Sequence, residues 1–121
     1  MKRVLYLNCF SGISGDMLLG ALLDLQGERD LQPYIRGLDL EGFHVVVERS
    51  GRKGITGLDV KVVAKEGHPH RRLPEIEEII NRSSLSLLVK EKALQAFNLL
   101  AEAEGAVHGK SPREVHFHEV G

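Results

Sequence analysis

The densest grouping of ligand-type side chains in this chain is His116-Phe117-His118-Glu119, holding two of its six histidines. In an extended segment successive side chains point to opposite faces, so His116 and His118 share one side and Phe117 takes the other. Two imidazoles on one face beside a carboxylate make a compact nitrogen/oxygen ligand set suited to nickel, zinc, cobalt or iron. A histidine pair on a strand face can also be plain surface decoration. The adjacent carboxylate, His108 a short turn upstream and a second pair at His68/His70 favour a metal. The segment runs straight into Gly121, so a longer chain is expected to complete the site.

The second grouping lies at the other end, in Cys9-Phe10-Ser11-Gly12-Ile13-Ser14-Gly15-Asp16-Met17. Glycines and serines between a strand and a helix let backbone N–H groups face an anion, typically a phosphate, so Ser11, Gly12, Ser14 and Gly15 are cradle candidates. The pattern is neither a Walker A loop nor a dinucleotide fingerprint, and a tight turn with Asp16 as an ordinary first-turn helix residue explains it as well. Asp16 could instead be a metal ligand or a proton acceptor. Cys9 reads first as a small buried apolar residue and second as a thiolate ligand. His68 and His70 flank Pro69 and precede Arg71 and Arg72, a spacing that suits one metal ion or a phosphate held by the arginines. His44 reads as a half-buried strand residue, and His108 as a helix-terminal histidine favoured by the dipole.

The elements that must position these residues follow from periodicity. Residues 3–7 read as a short buried strand, aliphatic on both faces, leading into the loop and a helix over residues 16–25. Asp30 can cap a short helix over residues 30–36, with Gly37 as its stop. Residues 43–49 and 58–65 read as an antiparallel pair of strands, and the glycine-rich stretch between them looks too long for a two-residue turn. Pro74 suits a first helical position, with Ile76, Ile79 and Ile80 on the apolar face. Ser83 or Ser84 can cap a last helix whose apolar positions are Val89, Ala93, Phe97, Leu100 and Val107. Gly105 is a point of bending or fraying there, and Gly109 with Ser111-Pro112 is its end. The order β-α-α-β-β-α-α implies an α+β fold, a small mixed sheet with helices packed on one face, in a single domain over residues 1–121.

Composition narrows the function class. The chain has 121 residues, is 42% hydrophobic and 27% charged, and carries a net charge of −1. No basic excess and few aromatic residues point to nucleic acid, and no apolar run reaches membrane-span length. A single cysteine excludes an internal disulfide and any CxxC knuckle. The short run after Lys2-Arg3 gives way to a Gly/Ser loop and not to a cleavage site, so the expected location is cytoplasmic.

Taken together, the Cys9-to-Met17 block, Gly54-Ile55-Thr56-Gly57, His68-Pro69-His70-Arg71, the stretch from Val89-Lys90 to His108-Gly109 and the terminal Val115-to-Gly121 string resemble the amino-terminal part of the LarC family of nickel-insertion proteins. The resemblance covers essentially the whole chain. It implies a nickel chelatase, or cyclometallase, of the lyase class that inserts nickel into pyridinium-3,5-bisthiocarboxylic acid mononucleotide. That step belongs to biosynthesis of the nickel-pincer cofactor of lactate racemase. It further implies CTP and a divalent metal handled by a carboxy-terminal part, so that this portion alone would be inactive. The implied partners are the mononucleotide, that carboxy-terminal part, the cofactor's target enzyme and further copies of the protein. On this resemblance the nickel ligands are sought among His116, His118, Glu119, His108, His68, His70 and Asp16. The mononucleotide's phosphate falls to Ser11–Gly15, Arg71 and Arg72, and proton removal to Asp16, His116 or Glu119. Asn8 stands where members commonly carry Asp, and only His68-Pro69-His70 remains where many carry a long histidine-rich insert. A non-catalytic nickel-binding module or metallochaperone is the competing expectation.

Overall fold

In a computed structural model, which describes residues 1–65, 67 and 70–117, the elements run α1 (Gly15–Gln26), α2 (Gln32–Ile35), a 3-10 turn (Arg36–Leu38), β1 (Phe43–Arg52), β2 (Ile55–Ala64), α3 (Leu73–Arg82) and α4 (Leu87–His108). The α+β class expected from the pattern is the one found, with β1 and β2 as a two-stranded antiparallel sheet among the described residues. The chain divides into two compact units, Met1–Gln32 with His44–Val63 and Pro33–Phe43 with Ala64–Gly121.

In the first unit α1 starts at Ser14, whose hydroxyl accepts from the Met17 N–H at 3.4 Å, and stops at Gly27 in the left-handed conformation. Gly20 is buried on this helix because the Leu58 backbone carbonyl lies where its Cβ would be, so any side chain there would push the hairpin away. Leu23 and Val60 close the interface, and Arg49 reaches Asp24 at 2.7 Å.

Four expectations change in this unit. Residues 3–7 form no strand, and Val4 and Tyr6 are 87% and 80% exposed. A strand apolar on both faces needs cover on both, and a two-stranded hairpin packed on one helix does not supply it. Cys9 consequently stands exposed at the turn that follows, not buried. The connection between the strands is a two-residue turn after all: Lys53 and Gly54 both have positive φ, the type I′ geometry that matches strand twist. Gly51 and Gly57, which looked like loop residues, are inside the strands. His44 lies in β1 as expected but is exposed.

The second unit holds the larger core: Leu73, Ile76, Ile80, Ala101, Val115 and Phe117, with Ala93, Leu94, Phe97 and Leu100 packed on it. Glu75 closes the start of α3 by accepting the Arg72 N–H at 3.3 Å, and Pro74 occupies its first turn. The cap of α4 is Ser86, which accepts from the Val89 N–H, and not Ser83 or Ser84. Those two serve neighbouring carbonyls instead: the Ser83 hydroxyl donates to Ile80 and the Ser84 N–H to Gly37. Val89 and Val107 are exposed, so the buried stripe of α4 is narrower than its apolar pattern. Among the described residues no helix is long and apolar enough to cross a membrane.

Candidate metal and anion site

The placement of His116 begins at Gly105. The helix continues through this position to His108; Gly105 is buried, and a Cβ on it would come within 2.7 Å of the Lys110 carbonyl oxygen. The missing side chain lets the chain double back, with Gly109 in the left-handed conformation and the Lys110 N–H bonded to Gly105 O at 3.0 Å. A turn closed by the Glu114 N–H on Ser111 O then sends Val115-His116-Phe117 past α3. Val115 and Phe117 are each 2% exposed, and Phe117 meets Phe97 edge-on at 5.7 Å. Strand alternation therefore turns His116 the other way, half-buried and off the core.

On that side His116 meets Arg72. The two form an isolated antiparallel bridge, supported by the Phe117 N–H on Arg71 O at 3.3 Å, and the Arg72 Nε–H donates to His116 Nε2 at 3.1 Å. An imidazole nitrogen that accepts a hydrogen bond commits its lone pair to that donor. His108, the last residue of α4, pairs with Glu104 one turn back at 3.2 Å. His108, Lys110, Val115 and His116 line one small cavity of about 70 Å³.

The loop before α1 belongs to the other unit. Cys9 O accepts the Gly12 N–H at 3.0 Å, and Gly12 has a φ of 81°, a conformation glycine adopts without strain. Ser11, Gly12, Ser14, Gly15 and Asp16 are all exposed. Hydrogen bonding from the Ser14 hydroxyl, then from its own N–H and that of Met17, holds the Asp16 carboxyl below its ordinary value of 3.8. Asp16 is thus an anion at the N-terminus of α1, next to the donors a phosphate would use.

The family model described as "Nickel insertion protein" matches residues 5–121. The chain belongs to that family. It is 48% identical over 120 residues to the pyridinium-3,5-bisthiocarboxylic acid mononucleotide nickel insertion protein of Desulfitobacterium hafniense, covering 98% of this chain and 30% of the relative. The protein of the same name from Acetivibrio thermocellus is 46% identical over 129 residues, covering 98% and 32%, and that from Staphylococcus saprophyticus 38% over 122 residues, covering 100% and 32%. The chain therefore spans about 30% of the length of these curated relatives. No solved structure matches it.

Seen as a nickel insertion family member, the chain brings only some of the expected residues together. His108 and His116 share a cavity, and Arg72 touches His116. Arg71 contributes its backbone carbonyl to the bridge. His70 is exposed between β2 and α3. His68, His118 and Glu119 lie outside the described residues. Among those that are described, no three His, Cys, Asp or Glu side chains converge on one metal position. Sequence reasoning missed Glu104, Lys110 and the Arg72–His116 contact. The i,i+4 spacing of Glu104 and His108 was readable. The Arg72–His116 contact spans 44 residues, and no local pattern marks it.

Proposed function

We propose that this chain is the nickel-handling amino-terminal portion of a protein that inserts nickel into pyridinium-3,5-bisthiocarboxylic acid mononucleotide. The observation that carries the reading is the shared cavity of His108 and His116, at the start of the His116-Phe117-His118-Glu119 string, in a chain of the nickel insertion family. In this proposal His108, His116, His118 and Glu119 hold nickel as cargo, with His68 and His70 as a second pair for capture. Imidazole and carboxylate ligands bind nickel(II) well enough to deliver it, while the softer thiocarboxylate sulfurs of the substrate can take it over.

Arg71 and Arg72 in one unit, and the Ser11–Gly15 loop in the other, are separate candidates for the substrate's phosphate. Proton loss from the pyridinium ring is assigned to Glu119, with Asp16 as the alternative carboxylate. The remainder of the longer protein supplies CTP and its divalent metal, so this portion alone does not turn over. Residues 1–121 act as one amino-terminal domain in which the chain passes between the two units at 32–33, 43–44 and 63–64. The setting is cytoplasmic, the class a lyase, and the product the nickel-pincer cofactor of lactate racemase.

Calorimetric titration of nickel into this chain and into a His116→Ala/His118→Ala variant tests the ligand assignment. The variant should bind at least about tenfold more weakly; equal affinity removes the terminal site. Cofactor formation by this chain alone, given substrate, CTP and nickel, would contradict the division of labour. No cofactor even with the remainder of the protein added would favour a metallochaperone.

A further inference from the structure

Building on this reading of His116 as a nickel ligand, we infer that Arg72 and Lys110 form a phosphomonoester subsite that keeps His116 closed to nickel until the anion draws Arg72 away. The Nε2 lone pair of His116 is already used, as acceptor of the Arg72 Nε–H at 3.1 Å. One lone pair serves one partner, so nickel on Nε2 requires Arg72 to leave. Nickel on the other nitrogen, Nδ1, would leave the ring proton on Nε2 facing the Arg72 donor, so that route needs Arg72 to leave as well. A guanidinium in contact with the ring also repels an arriving dication.

What releases Arg72 must outcompete a neutral imidazole, and a phosphomonoester does: its bonds to a guanidinium are charge-assisted and can be bidentate. Lys110 lines the same small cavity as His116 and adds a second cation for the anion. Of the nearby carboxylates, Glu75 is engaged by the Arg72 N–H at 3.3 Å and Glu104 lies 3.2 Å from His108, so the anion must bind through both cations to outweigh them. The switch needs no repacking. Arg72 is exposed, and the strand segment stays in register through the Phe117 N–H on Arg71 O and the burial of Val115 and Phe117. Substrate and metal binding are then coupled, and nickel is accepted where a phosphate-bearing acceptor is already in place.

Methyl phosphate is the probe, because it carries the phosphomonoester and no sulfur or nitrogen donor. Nitrogen NMR of the 121-residue chain without metal should show the His116 Nε2 signal moving as methyl phosphate is added. That response should vanish in Arg72→Ala and need higher concentrations in Lys110→Ala. In calorimetry, saturating methyl phosphate should tighten nickel binding by about 5- to 150-fold. Arg72→Ala should bind nickel that tightly without it. A His116 signal indifferent to methyl phosphate, or an Arg72→Ala variant that binds nickel no tighter than the parent, overturns the inference. The His116→Ala variant, titrated with nickel in saturating methyl phosphate, separates the two levels: weakened nickel binding there keeps the ligand assignment while the closure alone fails, and unchanged binding removes both.

Discussion

The two compact units carry the two halves of the candidate chemistry, and they differ in how firmly they hold it. In the unit with α3 and α4, His116 sits between Val115 and Phe117, both sealed into a core of six buried residues. In the unit with α1 and the hairpin, the Ser11–Gly15 loop and Asp16 follow a lead-in whose Val4, Leu5, Tyr6, Leu7 and Phe10 are exposed. One reactive side chain is fixed by packing on both sides, and the other by the single Ser14 cap at a helix end. Packing of the first kind fixes a ligand's direction. A capped loop of the second kind fixes charge and leaves position to whatever binds.

The sharpest way to break this contrast is to truncate one aromatic ring in each unit. Phe117→Ala removes a ring that is 2% exposed and in contact with Phe97, and should cost about 3–5 kcal/mol. Phe10→Ala removes a ring that is 89% exposed and should change stability by no more than about 0.5 kcal/mol. Urea unfolding of the two variants is the measurement, and comparable losses would mean that the lead-in is packed after all.

A smaller effect is expected at Gly105. On helix propensity alone Gly105→Ala gains about 1 kcal/mol. Here the new methyl would face the Lys110 carbonyl oxygen at 2.7 Å, so the change should instead destabilise by about 1–3 kcal/mol. The return segment would shift first, and the His116 amide resonance should move more than those of α3. A stabilised variant with an unmoved His116 would detach the site from the helix end.

Gly105 also marks what sequence reasoning can reach. Its propensity cost is local and was readable, whereas its use is the approach of a backbone oxygen that only the folded chain supplies. The same division runs through the molecule. Helices α1, α3 and α4 were legible because apolar spacing and caps lie within a few residues of each other. The opposition of His116 and Phe117 was legible because strand alternation is local. Residues 3–7 misled because a doubly apolar strand is defined by neighbours that a short window does not contain. The hairpin misled because its glycines were counted as loop, although positive φ is needed only at Lys53 and Gly54. The partner of His116 was invisible for the same reason, since Arg72 is 44 residues away.

The gentlest probe of the contrast is the Asp16 titration, because that side chain is exposed and hydrogen bonds from its neighbours outweigh a small opposing desolvation. The Ser14 hydroxyl is the largest cause of the lowering, followed by the backbone N–H of Asp16 itself. A carboxyl whose folded-state pKa lies below its unfolded value contributes stability above the unfolded value and loses it as pH falls through the folded one. Stability measured from pH 6 downward should therefore begin to fall near 3.8, the ordinary value, as this contribution is lost. Ser14→Ala should move the Asp16 midpoint up toward that value in a carboxyl-carbon NMR titration, without reversing the remaining lowering from the helix N–H groups. An unmoved midpoint would mean that the backbone of α1 alone holds the charge, and that the loop before it contributes geometry and no electrostatics.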